Sequence, residues 1–144
     1  MSGTVNTPIL AFEADIVSFD VLAANIVLGD VVAIDAGNDM AVVTGTEALA
    51  NMAIGVAESC RATSALVGSS TQEEAVIGEK VAVRLKGIVN VEVSDANVVR
   101  GMQVQGSNDG CVMEAANATS ALTLGIALTS AETGSLTKVL LRGY

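Results

Sequence analysis

The chain has 144 residues, enough for one domain, and carries 51% apolar but 2% aromatic residues with a net charge of −9. Half of the 16 acids and none of the seven Lys and Arg fall within the first 60 residues, so that half offers no basic stripe to displace phosphate counterions, and the scarcity of aromatics leaves no base-stacking platform. Nucleic acid is therefore not an expected partner, and neither is a membrane, because no uninterrupted apolar run is long enough to cross one.

In chain order, MSGTVNTPILAFEAD lacks a basic segment leading into an apolar run, so no secretory signal is expected. Met1–Pro8 is polar, while Ile9–Phe19 carries apolar residues suited to pairing along a sheet edge. Residues 1–20 thus read as an extended N-terminal arm and first strand, and 21–144 as a single domain. That domain holds an internal duplication over 24–59 and 95–131. Both copies open on Ala-Asn-aliphatic-Val-x-Gly, at Ala24–Gly29 and Ala96–Gly101, and both continue into a short β-compatible run. A turn cluster follows in each (residues 36–39 and 107–110), rich in Gly, Asn and Asp that tolerate hairpin geometry. Each copy then closes on Gly-aliphatic-Ala, at Gly55–Ala57 and Gly125–Ala127. A third match, Gly78–Gly87 against Gly134–Gly143, follows each copy.

Between the copies, Ser64–Ala75 reads as a polar loop. Lys80–Ser94 is the clearest strand signal: Val81, Val83, Leu85, Val89, Val91 and Val93 alternate with polar residues across Gly87. This predicts one bent strand, or two in phase, with the glycine at the corner. The same alternation turns Val139 and Leu141 inward. Short helical turns are expected at Thr46–Asn51 and Asn117–Leu122. The abundance of Val, Ile and Thr favours pleated sheet, and two β units each too small to bury a face alone should pack together. The expected fold is all-β, a compact β-barrel built from the two related units.

The chain has no histidine, which removes the commonest general base and zinc ligand, and with it any Ser-His-Asp or Cys-His arrangement. Glu73 and Glu74 read as a solvated pair, and Asp35 and Asp39 as residues capping their own turn. The run around Asp35, Asn38 and Asp39 lacks the downstream Glu of a calcium loop. No phosphate-binding glycine motif occurs. Cys60 and Cys111, far apart and in no metal spacing, read as buried free thiols rather than a disulfide. Asn117-Ala118-Thr119 matches a glycosylation sequon that the absence of a secretory signal leaves without a use. The cations Lys80, Arg84, Lys86, Lys138 and Arg142 should line outward strand faces, as a solubilising, edge-protecting surface rather than a partner-binding patch. No enzymatic activity, cofactor or metal is expected.

Four stretches carry a resemblance to a known family: Gly29-Asp30-x-Val32, Ala53-Ile54-Gly55-Val56-Ala57, the strand Val81–Gly87 running into Ile88-Val89-Asn90-Val91, and Gly125-Ile126-Ala127-Leu128. Over residues 22–143 the chain resembles the capsid decoration (cement) proteins of tailed viruses, bacteriophages among them. The resemblance implies a β-tulip-like barrel that assembles as a homotrimer on the capsid exterior of the virion, after synthesis in the host cytoplasm. Its implied partner is the major capsid protein, whose subunit contacts it would stabilise. The resemblance also implies an N-terminal arm that touches the capsid. The matching segment is Ser2–Leu10, with Thr4, Val5, Asn6, Thr7, Pro8, Ile9 and Leu10 as contact candidates. The alternative expectation is a surface ligand-binding module, carbohydrate-binding or adhesin-like, which the few aromatic residues support poorly.

Overall fold

The computed structural model describes residues 15–60, 74–116 and 123–143, and these are nearly all strand and turn. In chain order the strands are β1 (Ile16–Asp20), β2 (Ile26–Val27), β3 (Val31–Ile34), β4 (Val42–Thr44), β5 (Ala53–Cys60) and β6 (Glu74–Ala75). They continue as β7 (Lys80–Arg84), β8 (Gly87–Glu92), β9 (Gln103–Gly106), β10 (Val112–Glu114), β11 (Gly125–Ala127) and β12 (Leu136–Leu141). The first sheet runs β1-β7-β5-β3-β4 and the second β8-β12-β11-β9-β10, with β2 and β6 paired separately. All ladders are antiparallel. The all-β expectation holds; no closed barrel is detected among the described strands, although isolated bridges, Asp20 to Ala41 and Val93 to Val112, join the two edges of each five-stranded sheet. Thr46 caps a 3-10 turn at Glu47–Met52, close to the expected helical turn, whereas Asn117–Leu122 lies outside the described residues.

The two sheets have the same strand order when each strand is replaced by its sequence counterpart, and the shared landmarks occupy equivalent places. Gly29 and Gly101 both adopt positive φ, 98° and 92°, and donate their N–H to the carbonyls of Ala57 and Ala127. The Asn25 side chain accepts a hydrogen bond from the Ile77 N–H at 3.0 Å, and that of Asn97 from the Thr133 N–H at 3.1 Å. Each Asn thereby pins a distant loop to its own turn, which a side-chain amide does well because it presents a carbonyl acceptor at fixed reach. Gly55 and Gly125 have no room for a side chain: a Cβ would run into the carbonyl oxygens of Arg84 and Leu140 on the neighbouring strand.

The Lys80–Ser94 alternation divides at Gly87, which takes φ 105° where the chain leaves one sheet for the other. Val81 and Val83 point into a core shared with Phe19, Val32, Val42 and Ala57. Val91 and Val93 point into a second core with Val104, Val112, Val139 and Leu141. Inward parity is kept across the glycine, but the two halves feed different cores.

That second core is not closed by its own sheet. Val31, Ala53 and Val56, from the first sheet, are buried within it. The two units are further tied by the Gly110 N–H donating to the Gly45 carbonyl at 3.1 Å and the Glu47 N–H donating to Asn108 Oδ1 at 3.0 Å. Between them sits Asp30, whose side chain packs where a Cβ on Gly110 would have to go. Burial, with the negative charges of Glu92 and Asp109, raises the Asp30 carboxyl to about 6. The folded state therefore holds this proton more tightly than the unfolded chain does. Asp30 favours folding below the ordinary carboxylate value and loses that contribution as the pH rises through about 6.

Two outcomes follow. Gly125→Ala should lower stability by about 2 kcal/mol through the clash with Leu140, and Gly55→Ala by a similar amount, each read from the urea midpoint. Asp30→Asn should raise stability by about 1 kcal/mol at pH 7.5, a value reduced for solvent screening at a half-buried group, and by nothing at pH 3.5. A gain of equal size at both pH values would contradict the assignment.

Candidate interaction surface

The polar side chains singled out in the sequence settle into local roles. Asp35 accepts hydrogen bonds from the Gly37 N–H at 2.9 Å and Asn38 Nδ2 at 3.0 Å, which hold its carboxyl below the usual value. It caps its own turn, with each carboxylate oxygen accepting one hydrogen bond from that turn. Lys80 pairs with Asp20 at 2.6 Å and Arg84 with Glu58 at 2.8 Å, both on the outward face of the first sheet. The Glu58 hydrogen bond raises the Arg84 guanidinium further above its ordinary value. Lys138 donates to Asn90 at 3.2 Å on the second sheet. Such exposed pairs contribute little to stability and mainly set the charge of the face.

Cys111 is a buried free thiol. Burial first, then the carboxylates of Glu92, Asp30, Asp109 and Asp95, push its thiol up to about 11. It is protonated at neutral pH, the opposite of what a nucleophilic or metal-binding thiolate needs. Among the described residues no three or more Asp, Glu, Cys or His side chains are gathered so as to hold a metal ion. No described helix is long and apolar enough to cross a membrane. An open depression of about 460 Å³ lies between the Asn97–Val99 turn and the Ser130–Glu132 segment, with Leu136 at its rim.

What the described surface offers is apolar area. On the outward face of the second sheet, Ile126 stands opposite Leu140, and Leu140 opposite Ile88, in one row across three strands. All three side chains are exposed, and Leu128 and Leu136 extend the patch. Lys138 and Arg142 point outward from the same strand or its end. A second exposed apolar group forms the tip of the first unit. There Gly78 donates to the Val21 carbonyl, Ile77 to Asn25, and Asp20 to the Met40 carbonyl, which brings Leu22, Ile77 and Met40 to one end of the sheet. Neither patch was singled out in the sequence. The outward row is visible there only as Ile88, Ile126 and Leu140 at the positions that alternation assigns to solvent. The capsid-contact candidates Thr4, Val5, Asn6, Thr7, Pro8, Ile9 and Leu10 lie outside the described residues, as does Glu73.

No protein-family model matches the chain, and no curated protein matches it in sequence. Its fold is similar to that of the N base of the head fiber gp8.5 of bacteriophage phi29, known from a crystal structure. The alignment covers 88% of this chain and 93% of that one, at a TM-score of 0.61 and 17% sequence identity. At that identity the likeness is one of fold: this chain shares the architecture of a phage head-fiber base from near one end to the other.

Proposed function

We propose that this chain is a non-enzymatic structural protein of a tailed-phage virion. It binds the outer surface of the icosahedral head, contacts the major capsid protein, and stabilises the junctions between capsid subunits as a homo-oligomer, with three copies as the expected number. The observation that carries this reading is the fold likeness to a phage head-fiber base, which spans nearly the full length of both chains. The family resemblance of the sequence, from Gly29-Asp30 to Gly125-Ile126-Ala127-Leu128, supports the same class of protein. The physical features are compatible with it. A protein that reinforces a shell needs area and many copies more than a deep pocket, because modest contacts repeated over a lattice add through avidity. The acidic first half is suited to a basic shell surface.

The likeness to a fiber base favours a second reading, in which the chain anchors an appendage to the head without reinforcing it. Adding the purified protein to heads that lack it separates the two. On the first reading it binds saturably, binding weakens about tenfold or more between low and about 0.5 M salt, and the temperature of genome release rises. On the second it binds with no change in release temperature. Removing Ser2–Leu10 should weaken binding if the arm contributes. A chain that does not bind heads at low salt but does retain glycans on an array would replace both readings with the surface ligand-binding one.

A further inference from the structure

The row Ile88–Leu140–Ile126 has a counterpart in the first unit. There the same sheet positions are Ile16, Arg84 and Val56, paired in the same way across β1, β7 and β5. Val56 is 4% exposed because it helps to close the second core, whereas its counterpart Ile126 is 41% exposed. Arg84, engaged with Glu58, is replaced by Leu140, and Ile88 is 58% exposed. The face that the first unit uses for packing is thus present in the second unit, more apolar, and covered by no described residue. Large side chains gathered on one sheet face in this way mark a contact surface.

Charge identifies what fits it. Lys138 and Arg142 flank the row, with Glu92 at the far edge. Two copies of a chain with net charge −9 repel unless a base-bearing patch of one meets acids of the other. A face-to-face pair would also stack Lys138 near its own copy. The tip of the first unit offers the complement. Leu22, Met40 and Ile77 are exposed at 44%, 60% and 56%; Asp39 and Glu79 neighbour them in sequence, and Asp20 is neutralised by Lys80, so the tip keeps a net negative charge. Met40 also holds φ 51°, a left-handed conformation that an unbranched apolar side chain seldom adopts, in a turn where glycine would be easier. The turn presents the exposed Met40 side chain outward.

We propose that the outward face of the second sheet, centred on Leu140, is a self-association surface that receives the acidic, apolar tip of the first unit from a second copy of this chain. The contact is head-to-tail, so it generates a ring where the rotation closes. It rests on the self-association part of the proposed function and not on capsid binding.

The test is the mass of the full-length chain in solution at about 100 μM and low salt, by sedimentation equilibrium. Wild type should be oligomeric, and Leu140→Glu and Met40→Glu should each weaken association at least about tenfold while circular dichroism and melting temperature stay near wild type. Ile88→Glu and Leu22→Glu serve as second variants should either of the first pair melt early. An equimolar mixture of Leu140→Glu and Met40→Glu should form a heterodimer, because one retains an intact tip and the other an intact face. A monomeric wild type overturns the proposal. So does dissociation by Leu140→Glu with no effect of Met40→Glu, which would indicate face-to-face pairing or another occupant. A wild-type monomer that still binds heads would sink this inference together with the self-association part of the proposed function and leave capsid binding standing; an oligomer that ignores heads would do the reverse.

Discussion

Val31, Ala53 and Val56 belong to the first sheet but are buried in the core of the second unit, and the arrangement of the molecule depends on that sharing. Burying each of the two valines contributes about 1.5–3 kcal/mol relative to leaving it exposed, to which the inter-unit hydrogen bonds at Gly45 and Glu47 add. The consequence is that β3 and β5 are covered on both faces: Val32 and Ala57 face the first core, Val31 and Val56 the second. A strand segment buried on both sides cannot alternate apolar with polar, and β3 (VVAI) and the first five residues of β5 (AIGVA) carry no polar side chain.

Close approach is the second constraint. Gly55 and Gly125 sit in the central strand of their sheets, against the carbonyls of Arg84 and Leu140, with no space for a methyl group. Gly110 makes the same kind of contact between units, with the Asp30 side chain against it. Asp30 carries a cost there, since its charge is half-buried beside Glu92 and Asp109, but its backbone serves the first sheet: its carbonyl accepts from the Ala57 N–H at 2.9 Å. A backbone role accounts for the position. Nothing in the described contacts requires the carboxylate.

Much of the first-order structure was legible in the residues. Ala-Asn-aliphatic-Val-x-Gly marked two equivalent turns because an Asn acceptor and a positive-φ glycine are hard requirements of that geometry. Lys80–Ser94 marked two strands and the corner between them. The turn at 36–39 was legible only in part. Asp35 caps it as expected, but the left-handed residue is Met40 rather than Gly37, Asn38 or Asp39. Turn composition gives the tendency to reverse, while the isolated tertiary bridge that joins Asp20 to Ala41 decides which residue takes the strained position. That no closed barrel is detected among the described strands has a related reason. Alternation says that two units must each bury a face, but it does not say whether the faces meet each other or stack in series.

Gly55-Val56-Ala57 and Gly125-Ile126-Ala127 put the limit most plainly. By sequence they are the same element: a glycine forced by a neighbouring carbonyl, an aliphatic residue, and an alanine turned into the core. The sequence by itself determined the glycine, the strand and the inward alanine, because these follow from local sterics and a period of two. Whether the aliphatic residue is buried depends on what lies beyond the sheet, and no local pattern carries that. In the first unit the second unit lies there and Val56 is covered; in the second unit no described residue covers Ile126, and it remains exposed.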